Sequence, residues 1–107
     1  MTLYLTVNSS EPLPAGTPLR VEVRDTSQAD AAAVIVASRT TTVPASAEPI
    51  TVSIALERVP DGSTVWAHAD VDGDGRVSAG DFITMESYPV KTSGSEQKTT
   101  IRIRKVS

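Results

Sequence analysis

The run Asp70-Val71-Asp72-Gly73-Asp74-Gly75-Arg76-Val77-Ser78-Ala79-Gly80-Asp81 places aspartates at its positions 1, 3, 5 and 12. Alternate residues of a tightly wound loop turn their side chains toward one centre. Carboxylates gathered that way repel one another, and a cation relieves the repulsion. Ca²⁺ is a hard ion that takes six to eight oxygens at about 2.3–2.6 Å. Gly75, sixth in the run, permits the sharp turn that brings the chain round. The backbone carbonyl of Arg76 supplies an oxygen, so a basic side chain there does no harm. Ser78 ligates directly or holds a water, and Asp81 closes the shell through one or both oxygens. Val77 is expected to pack the loop onto the domain. The expected metal set is therefore Asp70, Asp72, Asp74, Arg76, Ser78 and Asp81, with Ca²⁺ as the cofactor.

This spacing resembles the EF-hand or dockerin calcium loop, with Asp in place of Glu at the last position. The bland alternative is a solvated turn whose Asp and Gly residues serve only backbone conformation. Magnesium fits less well because it demands a stricter octahedron. The flanking segments, Ser63–Ala69 before the loop and the run from Phe82 to Pro89 after it, read as strands rather than as a pair of long helices. A single loop between strands favours a structural clip over a sensor.

The remaining chemistry is sparse. There is no cysteine, so disulfides, thiol catalysis and cysteine-ligated metal sites are excluded. The one histidine, His68, shares a strand face with Trp66 and Asp70. That trio allows an alternative function, a carbohydrate- or small-ligand-binding module using Trp66 and His68. The blander reading makes Trp66 a partly buried residue and His68 a hydrogen-bonded one. Asp70 is a possible partner for His68, although calcium would take that carboxylate. No nucleophile motif accompanies the histidine, so no catalytic residue is assigned and the chain is not expected to be an enzyme. Lys98, Arg102, Arg104 and Lys105 make the last strand basic, as an outward face or a protected edge.

The elements that must carry the loop are strands. Of 107 residues only Tyr4, Trp66, Phe82 and Tyr88 are aromatic, so the core must be built from Val, Ile, Leu and Ala. Apolar residues alternate with polar ones at Leu3-Leu5-Val7, Leu19-Val21-Val23, Ile50-Val52-Ile54-Leu56 and Ile101-Ile103. Val65, Ala67, Ala69 and Val71 fall on one face of a further strand. Ala33–Thr42 contains Val34-Ile35-Val36, apolar on both faces, as in a central strand. A short helix over Ala29–Ala37 is the alternative there, since Ala31-Ala32-Ala33 favours helix. Pro60-Asp61-Gly62-Ser63 reads as a tight turn. About seven strands at this spacing predict one all-β domain over residues 1–107, an antiparallel β-sandwich of immunoglobulin-like or transthyretin-like type.

Net charge is −3, which argues against a nucleic-acid partner. No stretch is long and apolar enough for a membrane span. Met1–Val7 has neither a basic start nor an apolar core, so it is not a signal peptide.

The segment Leu19–Ser27 followed by Ala29-Asp30-Ala31, with Val34–Ala37 and Tyr88-Pro89-Val90, resembles the YbaY/YscW-like bacterial lipoproteins, which include type III secretion pilotins. The resemblance runs over roughly residues 3–105 and is most distinctive at Asp25–Ala31. It implies a small β-domain without catalytic activity, acting as an assembly accessory to another protein in the bacterial envelope. The family's lipid-bearing cysteine is missing from this sequence, and no functional residue is carried over. The combined expectation is a calcium-binding structural or protein-interaction module.

Overall fold

A computed structural model describes residues 1–25, 34–44, 50–91 and 94–106. Seven strands follow in chain order: β1 (Thr2–Ser9), β2 (Pro18–Asp25), β3 (Val34–Thr42), β4 (Ile50–Ala55), β5 (Ser63–Ala69), β6 (Phe82–Thr84) and β7 (Glu96–Lys105). No helix occurs among the described residues, and so none that could cross a membrane. Among the described residues the expectation of an all-β fold of seven strands holds. The alternative helix falls partly on residues 29–33, outside the described residues; from Val34 the chain is strand.

The sandwich expectation is corrected. All seven strands join one sheet in the order β3-β2-β5-β6-β7-β1-β4. The pairing is mixed, because β1 and β7 run parallel from Thr2↔Glu96 to Ser9↔Ile103. Strand alternation shows which face is buried but not which strands become neighbours, so two stacked sheets and one rolled sheet read alike. The sheet rolls until its edges β3 and β4 approach. There Arg39 Nη1 donates to the Ser53 carbonyl at 2.7 Å. The result is a nearly closed barrel.

Period-2 patterning builds the barrel interior. Leu3, Leu5 and Val7 face inward with Leu19, Val21, Val23, Val52, Ile54, Val65, Ala67, Ala69, Phe82, Ile101 and Ile103. Phe82 is the one aromatic among these fully buried core residues, in line with the aliphatic composition.

Two readings of individual strands change, and that of the basic strand narrows to one of its alternatives. β3 pairs only with β2 and is an edge, not a central strand, with Val34 and Ile35 exposed. A register shift opposite Val23 and Arg24 inserts an extra residue into β3, a bulge that increases local twist. β7 lies between β6 and β1, so its basic residues form an outward face and not a protected edge. The strand after the loop is only three residues long, and Pro89 rejoins the sheet through a lone bridge to Thr64.

Candidate metal centre

The loop connects β5 to its antiparallel neighbour β6, whose registered pairs are His68↔Ile83 and Ala69↔Phe82. β5 stops at Ala69, so Asp70 leaves the sheet directly into the loop. Backbone hydrogen bonds stitch the loop ends to the barrel rim. Asp70 N donates to Pro18 O at 2.9 Å, Gly80 N to Val106 O at 2.9 Å, and Val106 N to Asp81 O at 2.7 Å. Gly73, Gly75 and Gly80 carry φ of 71°, 77° and 95°, the left-handed region that lets the chain wind this tightly.

The four predicted acids come together. Asp70, Asp72, Asp74 and Asp81 each offer a carboxylate oxygen, and these oxygens lie within 4.8 Å of one another. One oxygen of each of the first three accepts a loop amide. Gly75 N donates to Asp70 Oδ2 at 2.7 Å, Asp74 N to Asp72 Oδ1 at 3.3 Å, and Arg76 N to Asp74 Oδ1 at 2.8 Å. Ser78 Oγ donates to Asp72 Oδ2 at 2.6 Å. Asp70 is 8% exposed, and its Oδ1 is buried without a hydrogen-bond partner. A buried carboxylate oxygen left without a donor is costly unless something positive faces it.

The electrostatics follow these contacts. The Ser78 hydroxyl, then the neighbouring Asp70, hold Asp72 down to about 2. The Arg76 amide draws Asp74 down, but burial together with the charges of Asp72 and Asp70 outweighs it and pushes that group up. Burial would raise Asp81, but donation from His68 and from the amides of Ser78 and Val71 overcomes it and leaves Asp81 below the ordinary carboxylate range.

Asp81 has a larger structural part than its place in the spacing suggests. It is fully buried. Its Oδ2 lies 2.8 Å from His68 Nε2 and accepts Ser78 N at 3.2 Å, while Oδ1 accepts Val71 N at 3.0 Å. His68 thus pairs with Asp81, not with Asp70. Spacing hides this pair because thirteen residues separate them. The usable signal is topological: in a strand–loop–strand unit, a residue near the end of the first strand meets one just before the second. Val77 and Val71 do not anchor the loop, for both side chains are exposed. The sheet bonds and Asp81 do that work. Arg76 is exposed, and its amide holds Asp74.

Trp66 and His68 do not form an open platform. The Arg24 guanidinium lies 4.0 Å from the Trp66 ring centroid, and Arg24 in turn pairs with Glu22 at 2.6 Å. His68 is buried 5.7 Å from Trp66, ring centre to ring centre.

The type III secretion system lipoprotein chaperone (YscW) family matches residues 3–103. The chain belongs to that family. Among solved structures, an alternative pilotin from the type II secretion system of Vibrio cholerae superposes with a TM-score of 0.79 and 24% identity. The match covers 100% of this chain and 97% of that one, so the two share the fold. No curated protein sequence matches.

Proposed function

We propose that this YscW-family chain is a non-enzymatic accessory protein of a bacterial secretion assembly. It acts in the cell envelope by binding another protein, and Ca²⁺ in the 70–81 loop is a fixed part of its fold. Family membership over residues 3–103 supports the accessory role. The pilotin named in the structural match supports the same class of work. Among the described residues the groups nearest to catalytic machinery, His68 and Asp81, are buried against each other, and the hydroxyl beside them, Ser78 Oγ, lies 3.4 Å from Asp81 Oδ2 and donates to Asp72 Oδ2 at 2.6 Å.

The ion reading is carried by one observation. The unpartnered, buried Oδ1 of Asp70 sits on a residue that shares a 4.8 Å cluster with three other carboxylates. Asp70, Asp72, Asp74 and Asp81 would hold the ion, with the Arg76 carbonyl and Ser78 completing an oxygen shell suited to Ca²⁺. At free calcium 100 times the dissociation constant, such binding stabilises the fold by about 2.7 kcal/mol.

Two experiments test this proposal. Thermal melting with millimolar Ca²⁺ and with chelator should show a higher midpoint with the ion, and no difference in an Asp72→Ala/Asp74→Ala double variant. An unchanged wild-type midpoint refutes the ion reading. In-cell crosslinking followed by mass spectrometry should recover a component of a secretion assembly. Recovery of none counts against the accessory role.

A further inference from the structure

Asp81 ends a loop whose last position ordinarily carries the longer Glu, which grips Ca²⁺ with both oxygens. A carboxylate has about four lone-pair sites, two on each oxygen. On Asp81 Oδ2 both are used, one by His68 Nε2 at 2.8 Å and one by Ser78, whose N donates at 3.2 Å and whose Oγ lies 3.4 Å away. On Oδ1 one is used by Val71 N at 3.0 Å, and one remains. Asp81 therefore has a single oxygen site to offer. Asp70, Asp72 and Asp74 each commit one oxygen to a loop amide, which leaves the other as the less engaged ligand; on Asp72 that oxygen, Oδ2, also accepts Ser78 Oγ and keeps one site. The His68 ring is in turn fixed by burial on β5 and by Trp66.

We infer that His68 is a positioning residue that sets the ion specificity of this loop. By occupying Asp81 Oδ2 it holds that carboxylate to one-oxygen coordination, and the shell becomes six oxygens instead of seven. This rests on the ion reading proposed above. The acidic cluster alone would not carry it; the unpartnered Oδ1 of Asp70, on a side chain more than nine-tenths buried, is the independent sign of a bound cation. Coordination number separates Ca²⁺ from Mg²⁺, because Ca²⁺ accepts six to eight oxygens and Mg²⁺ demands six. A six-oxygen shell gives up the part of calcium's advantage that a seventh ligand supplies. The loop thus takes Ca²⁺ and Mg²⁺ with affinities within about a hundredfold of each other.

The test uses the full chain with Ca²⁺, Mg²⁺ and Tb³⁺ as probes. Calorimetric titration of the wild type gives the Ca²⁺/Mg²⁺ affinity ratio without any substitution. Terbium luminescence decays in H₂O and D₂O count the waters left on the ion. His68→Leu removes the donor and frees Asp81 Oδ2 to turn to the ion. The terbium-bound water count should then fall by about one, and the Ca²⁺/Mg²⁺ ratio should rise about tenfold. His68→Gln places an amide donor where Nε2 stood and should match the wild type in both readouts. A merely structural histidine would shift the melting midpoint in chelator but leave the water count and the ion ratio alone, which overturns the inference. So does a wild-type ratio far above a hundred, a result that needs no variant to fold. Tighter binding of Zn²⁺ than of Ca²⁺, lost in both variants, would make His68 a direct ligand and also overturn it. No binding of any of these ions by the wild type refutes the ion reading itself, a distinguishable failure.

Discussion

Replacing Asp81 by Asn exchanges one carboxylate oxygen for an amide NH2 and removes one charge at a fully buried site. The carboxylate accepts three N–H groups in two directions: His68 and Ser78 on Oδ2, Val71 on Oδ1. An asparagine has one acceptor oxygen and one donor nitrogen. If its oxygen takes the Oδ2 place, its amide nitrogen faces the Val71 N–H. If it flips, its nitrogen faces the Ser78 N–H, while His68 can adapt by presenting an unprotonated Nε2. Either way one backbone donor in the loop loses its partner, at about 1–3 kcal/mol. The surviving bonds also lose their charge assistance, bringing the total to roughly 2–4 kcal/mol. In a domain of this size that lowers the melting midpoint by about 8–16 °C. The assay is urea unfolding and calorimetry in chelator at pH 7, so that the loss is read without the ion. The deficit also depends on pH. Asp81 titrates below its ordinary value in the folded chain, so its contribution is complete above the unfolded value of 3.8 and is lost as pH falls through the lower folded value. The gap between wild type and Asp81→Asn should therefore close in acid. A deficit under 1 kcal/mol at pH 7, or one that does not shrink in acid, would refute the view of Asp81 as the pin of the loop.

Other expected outcomes follow from the same contacts. Gly75→Ala keeps open space around the new Cβ but forces an L-residue to φ 77°, so stability in chelator should drop by about 1–2 kcal/mol and calcium affinity should weaken. Val77→Ser should leave the urea midpoint within about 0.5 kcal/mol of wild type, because that side chain is exposed. Ile101→Ala, at 0% exposure in the barrel interior, should cost about 2–5 kcal/mol by urea unfolding. Arg39→Ala removes the bond between the sheet edges and should speed hydrogen exchange in β3 and β4 while barely moving the global midpoint.

Local patterning made much of this molecule legible. Leu19-Val21-Val23 and Ile101-Ile103 are buried on the face that their alternation assigns, and the same holds for Val65, Ala67 and Ala69. Alternation fails at Val71 because β5 ends two residues earlier, a boundary that period-2 logic does not mark. It fails for Val34-Ile35 because an apolar run on both faces looks the same in a central strand and on an exposed edge. The parallel union of β1 with β7 spans nearly the whole chain and leaves no local trace. At the loop, oxygen-bearing residues at alternate places were enough to find the four aspartates. The part played by His68 was not readable there, because it depends on which strands pair.

That union of the first strand with the last sets a temporal order. β1 also carries β4, so two strands from the first half of the chain join the ladder of the rest through β7, with the Arg39–Ser53 contact as a second link from β4 to β3. A chain emerging from the ribosome or passing through a membrane pore cannot complete this sheet until residues 96–105 are free. Pairings this distant fold slowly, on the order of milliseconds to seconds. The molecule therefore stays threadable until β7 arrives, and a stop codon placed before Glu96 leaves an open fragment with unpaired edges.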